Sequence, residues 1–135
     1  MLKNLQRRYP LHLPLFKKQS LITLQLLKKE WPAHLLEVSV FFVSPQRICQ
    51  LHDDFLQDPT ETDVITFHHG EIFICPAVAE KQRQKENLSL HDEILTYIIH
   101  GFLHLCGWDD HSPRDYDRMR HRQTALLKQV KQKFS

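Results

Sequence analysis

The spacing of apolar residues changes along the chain, and each change marks an element. The clearest run begins at Leu90, where Ile94, Ile98, Phe102 and Leu105 recur at intervals of three and four. That spacing predicts a helix with one buried stripe. Ser89, with Asp92 three residues on, supplies a capping-box start, and Gly107 supplies the left-handed residue that ends such a helix. Upstream, residues 37–43 are rich in Val and Phe and predict a central strand. Ser44-Pro45 then forms an N-cap and first-turn pair, opening a helix that presents Ile48, Leu51 and Phe55.

Residues 63–67 and 71–75 read as two short strands. The brief link His68-His69-Gly70 makes them an antiparallel pair. Near the start, the alternation Leu11-His12-Leu13 predicts a short strand, confined to an edge by Pro10 and Pro14. Residues 15–31 follow with helical spacing, and Trp31-Pro32 closes that run. Pro76 starts a further helix that runs to about Asn87. Ser112-Pro113-Arg114-Asp115 repeats the Ser-Pro opening, and the last helix carries Tyr116, Met119, Leu126, Leu127 and Val130.

The predicted order is strand, helix, strand, helix, two strands, then three helices. Separated strands followed by a run of helices predict an α+β fold, a small mixed sheet packed against helices. An all-helical fold is the alternative, and the apolar run 38–43 argues against it. With no repeat, linker or low-complexity stretch, residues 1–135 read as a single domain.

Composition narrows the class. Hydrophobic residues make up 41% and charged residues 25%, ordinary for a soluble globular chain. No apolar run reaches the length of a membrane span, and no signal-peptide core follows Met1. Cys49, Cys75 and Cys106 are odd in number and contain no C-x-x-C, so they read as reduced residues of a cytoplasmic protein. The net charge of +2 says little, but its distribution is uneven. Between Arg47 and Lys81 there is no Lys or Arg, while Asp53, Asp54, Asp58, Glu61, Asp63 and Glu71 are acidic. Basic residues gather from Arg114 to Arg122, either as a solvated helix face or as a flank that grips phosphate.

The candidate chemistry lies in the Leu90 helix. His100 and His104 are four apart, so both imidazoles project from one face. Such a pair alone is more often accidental than metal-binding. The chain reversal at Gly107, with Asp110 or His111 returning over the pair, completes a tripodal metal site with an open position. Asp109 reads equally as an acceptor for a ligand imidazole or as a turn residue. Cys106 falls on the apolar side and is not expected to ligate. In zinc peptidases a Glu follows the first His as general base, whereas here that place is Gly101, which argues against a peptidase.

His100-Gly-Phe-Leu-His104-Leu-Cys-Gly107-Trp-Asp resembles the signature of the YbeY family of bacterial metallo-endoribonucleases. Thr62-Asp63-Val64-Ile65-Thr66-Phe67 and Gly70-Glu71-Ile72-Phe73-Ile74 match the same family in the same order. The resemblance implies a four-stranded sheet with about five helices around a central metal-binding helix, a zincin-like arrangement. It implies one zinc per chain, held by three ligands, and a monomer acting on single-stranded RNA rather than DNA or membrane. It also implies work on 16S rRNA 3′-end maturation, ribosome association and ribosome quality control. A non-catalytic, zinc-containing RNA-binding assembly factor is the competing reading.

Two departures stand out. The family's third ligand directly follows the Asp after the aromatic, and that place holds Asp110, with His111 one later. We expect His100, His104 and His111 as ligands, because imidazole suits zinc and a loop absorbs one extra residue easily. Asp110 is the rival. The family also places an Arg at the end of the second helix, where this chain has Leu56, with His52 and Phe55 nearby. No catalytic side chain is identified from sequence, and His68, His69 and Arg114 are weak substitutes for that Arg.

Overall fold

A computed structural model describes residues 1–134. In chain order the elements are β1 (Leu2–Asn4), α1 (Leu13–Leu26), β2 (Ser39–Phe42), α2 (Pro45–Leu56), β3 (Val64–Phe67), β4 (Glu71–Ile74), α3 (Pro76–Glu86), α4 (Leu90–Leu105) and α5 (Pro113–Gln132). The four strands form one mixed sheet in the order β1-β2-β4-β3. β1 and β4 both run parallel to β2, while β3 is antiparallel to β4. Val40, Phe42, Ile72 and Ile74 point to the face that carries the main core, where α4 lies with Ile94, Ile98, Phe102 and Leu105 all buried. The α+β architecture therefore matches the sequence expectation.

Local chemistry explains most boundaries. Ser44, Ser89 and Ser112 each accept a hydrogen bond from the amide three residues on, which satisfies an otherwise orphaned N–H of α2, α4 and α5. Gln57 and Asn87 end α2 and α3 in the left-handed region, at φ 53° and 56°.

The beginning of the chain differs from the sequence reading. No strand forms at Leu11 to Leu13, because Pro14 sits in the first turn of α1, where its fixed φ and missing N–H fit a helix. The first strand is instead Leu2–Asn4. Its residues gain strand geometry only by pairing with Val40, Phe41 and Phe42. α1 also stops short of Trp31. Leu27 docks in the core, and the Trp31 ring turns back to meet Phe102 edge-on at 5.8 Å.

Gly101 has a steric reason. A Cβ at this position would lie 2.7 Å from Cδ1 of Ile72, a fully buried residue on β4. Glycine therefore lets α4 seat closely on the sheet. Gly101→Ala should gain about 1 kcal/mol of helix propensity yet cost roughly 1–3 kcal/mol in overpacking. We expect a small net loss, read as a melting midpoint lowered by a few degrees. A raised midpoint would mean that Ile72 yields freely.

Candidate metal centre

The end of α4 builds the site. Gly107, at φ 99°, closes the helix with a paired reversal: its N–H donates to the His104 carbonyl, and that of Trp108 to the Leu103 carbonyl, each at 3.0 Å. The reversal carries Trp108, Asp109 and Asp110 back across the last two turns. The Trp108 carbonyl accepts from Nδ1 of His104 at 3.0 Å, and Oε1 of Gln123 on α5 accepts from Nδ1 of His100 at 2.9 Å. A carbonyl oxygen can only accept, so these contacts place the Nδ1 protons and leave both Nε2 lone pairs free.

Those lone pairs converge. The two Nε2 atoms are 3.0 Å apart, and Oδ2 of Asp110 lies 3.6 Å from His100 Nε2 and 3.5 Å from His104 Nε2. Three acceptors thus meet in a triangle with no donor among them. One proton serves only a single pair of these atoms, whereas a metal ion serves all three. Bonds of ~2.0–2.1 Å in a tetrahedron about zinc correspond to donor–donor edges of about 3.3–3.4 Å. The triangle is close to that size, so the donor set fits zinc. Burial, reinforced by the neighbouring His104, holds the His100 imidazole below the usual histidine range, with Gln123 and Asp110 opposing the shift. Protons therefore compete for His100 only at a more acidic pH than for a free imidazole.

The structure gathers His100, His104 and Asp110 in one cluster and Asp109, Asp110 and His111 in a second, so the expected third ligand, His111, neighbours Asp110 without joining the two helical histidines. The His111 side chain is 86% exposed, with its Nε2 3.5 Å from Asp109. Asp109 accepts from the His111 amide at 3.1 Å, the behaviour of a turn residue. The His100 and His104 imidazoles find their acceptors elsewhere, on Gln123 and Trp108. Burial raises the Cys106 thiol to about 11, so it stays protonated. His69 pairs with Glu71 on β4. Leu56 is exposed at the end of α2.

Sequence reasoning missed Gln123 and Glu30, and took Arg120 only as one member of the basic run from Arg114 to Arg122. Gln123 falls between Met119 and Leu126 at spacings of four and three, a polar residue within an apolar helical stripe, and that was a visible signal. Glu30 accepts from the Trp108 indole and from Arg122, each at 2.9 Å, which ties the reversal to the turn after α1 and to α5. Arg120 pairs with Glu86 at 3.1 Å and lines a cavity of about 610 Å³ that also reaches His100 and Asp110. Gln123→Ala frees the His100 ring to turn and should weaken metal retention about 10–100-fold, the usual cost of losing an outer partner of a ligand. Competition with a zinc-sensitive dye measures this directly.

The sequence matches the family model Endoribonuclease YbeY over residues 3–131. It is 32% identical to the Endoribonuclease YbeY of Chlamydia caviae, covering 99% of this chain and 92% of that protein. It is 30% identical to the Chlamydia felis protein of the same name, covering 98% and 90%. The solution structure of TM1509 from Thermotoga maritima superposes with a TM-score of 0.68 at 26% identity, over 99% of this chain and 91% of that one. The match runs through strands, metal-helix signature and last helix alike, and the chain belongs to the Endoribonuclease YbeY family.

Proposed function

We propose that this protein is a zinc-dependent endoribonuclease that cuts single-stranded RNA, with one zinc per chain held by His100, His104 and Asp110. The observation that carries the metal is the donor-free triangle of acceptor atoms at those residues. Family membership supports RNA as the substrate. Maturation of the small-subunit ribosomal RNA 3′ end, action as a monomer alongside ribosomes and a cytoplasmic location complete the reading.

A bound zinc supplies a Lewis acid for a phosphoryl oxygen and lowers the pKa of its own water toward ~7. The protein's own groups do the rest. Trp108 and Gln123 hold the two imidazoles with Nε2 inward, so the site needs no reorganisation to accept the ion. Arg120 is the one Lys or Arg among the residues lining the adjoining cavity, and its guanidinium is placed to meet a phosphate once released from Glu86. A single strand enters such a cleft, whereas an A-form duplex hides its bases in a deep groove.

The test pairs metal content with cleavage. Protein purified from zinc-replete medium should carry about one zinc per chain by elemental analysis. It should cut a fluorescent single-stranded RNA, lose that activity on chelation and regain it with zinc. Chelation that unfolds the protein, in a preparation that never cuts RNA, would favour a structural zinc in an assembly factor instead.

A further inference from the structure

Trp108 does more in this fold than lend its carbonyl to His104. The half-buried side chain packs on the main core, and its indole N–H donates to Oε1 of Glu30 at 2.9 Å. Held in that way, Trp108 also lines two open cavities of about 310 and 550 Å³. Arg118 lines both of them as well, on the wall that α5 supplies. α5 separates the larger of these from the cavity that reaches the metal cluster. Tyr116, Arg120 and Gln123 face the metal side, while Asp117, Arg118 and His121 face this one.

The arginines of α5 differ in how they are used. Arg120 is paired with Glu86, and Arg122 with Glu30. Arg114 and Arg118 are exposed, and neither side chain has an ion-pair or hydrogen-bond partner among the described residues. Four positions apart, the two are neighbours on the helix surface. Free guanidiniums beside an open aromatic ring are what proteins use to hold a single nucleic-acid strand. Bases stack on the ring, and phosphates go to the cations. Asp109, Asp115 and Asp117 line the same cavities, so charge alone does not make a phosphate trap here. The ring is what favours a base. The neighbouring zinc centre, with one carboxylate and two imidazoles about a divalent ion, adds net positive charge. A duplex keeps its bases stacked inside and gains nothing from Trp108.

We infer that Trp108 and Arg118 form a nucleotide-stacking subsite for single-stranded RNA, outside the cavity that reaches the metal cluster. A strand leaving that cavity crosses residues 109–113, and Arg114, in the first turn of α5, meets a phosphate on the way. An unpaired base then lies on the Trp108 ring, with its phosphate at Arg118. The inference rests on the nuclease reading and gives the strand a second hold away from the cut. Trp108 and Arg118 bind substrate there without touching the reacting atoms.

The test uses the ring as its own probe. In the zinc-loaded protein carrying Trp31→Phe, Trp108 is the sole tryptophan, so its fluorescence reports a base stacked against it. A short single-stranded RNA of 2′-O-methyl nucleotides should bind and quench that fluorescence, and a duplex of the same length should not. Arg118→Gln should weaken binding with zinc content unchanged. It should also lower the slope of log affinity against log salt by about 0.7, the share of one single-strand phosphate contact. Trp108→Leu should weaken binding roughly tenfold, the worth of one stacked base, while Trp108→Phe keeps most of it. If Trp108→Leu sheds its zinc, the quenching and the Arg118→Gln slope decide alone. Strand binding without quenching, or a slope unmoved by Arg118→Gln, overturns the subsite, and cleavage by the same protein keeps the nuclease reading standing. Quenching by an acidic polypeptide equal to that by RNA also overturns it, since the groove would then answer to charge alone. Quenching by RNA in a zinc-loaded protein that cuts no single strand upholds the subsite and overturns the nuclease reading.

Discussion

Asp110→Ala should strip zinc from this protein, and His111→Ala should leave it nearly full. The carboxylate of Asp110 closes the triangle with the two imidazoles, at 3.6 and 3.5 Å, while His111 is solvent-facing against Asp109. Removing an outer partner of a metal ligand typically costs about 10–100-fold in affinity. Removing the ligand itself should cost more than that, and cleavage should fall with it. Zinc per chain after dialysis against a graded chelator, measured for both variants beside His104→Ala, gives the order. If His111→Ala is the damaging change, the stretch from Trp108 to Ser112 rearranges on metal binding, and imidazole takes the third position after all.

The second large effect concerns the opposite side of the same helix. Phe102 is 1% exposed, within the main core, and its ring meets Trp31 at 5.8 Å. Truncating a buried Phe to Ala usually costs about 3–5 kcal/mol, the lost transfer energy plus the cavity left behind. For a chain of this size that corresponds to a melting midpoint lower by on the order of 10 °C or more. Phe102→Ala should therefore be much less stable, yet still bind zinc below its new midpoint, because His100 and His104 project from another face. Loss of metal in a still-folded Phe102→Ala protein would show that the helix itself shifts.

How much of this was legible depends on where the signal sits. In α4 the Ser89 cap, the stripe of Ile94, Ile98 and Phe102, and the Gly107 stop all lie within one short run and agree, so the helix could be read from it alone. The same holds for the Ser-Pro openings of α2 and α5. β1 could not be read, since Leu2–Asn4 has no alternation to notice and exists only through its parallel partner β2. Gln123 reaches His100 from 23 positions away, and the partner of His104 is a backbone carbonyl with no residue signature. Which of Asp110 and His111 faces the two histidines depends on the direction in which the chain leaves Gly107. Hydrogen bonds fix that direction, whereas residue preference for a metal does not.

The position of Gln123 on α5 also sets a schedule. His100 and His104 are present as soon as α4 forms, but the acceptor that turns His100 inward belongs to the last element in the sequence. Glu30, which steadies Trp108, is likewise held by Arg122 of α5, 92 positions later. A chain still emerging from the ribosome therefore has both histidines without an oriented centre. On the proposed reading, the supports of His100 and Trp108 are complete only once α5 has docked, so metal retention should be weaker in a chain that lacks it.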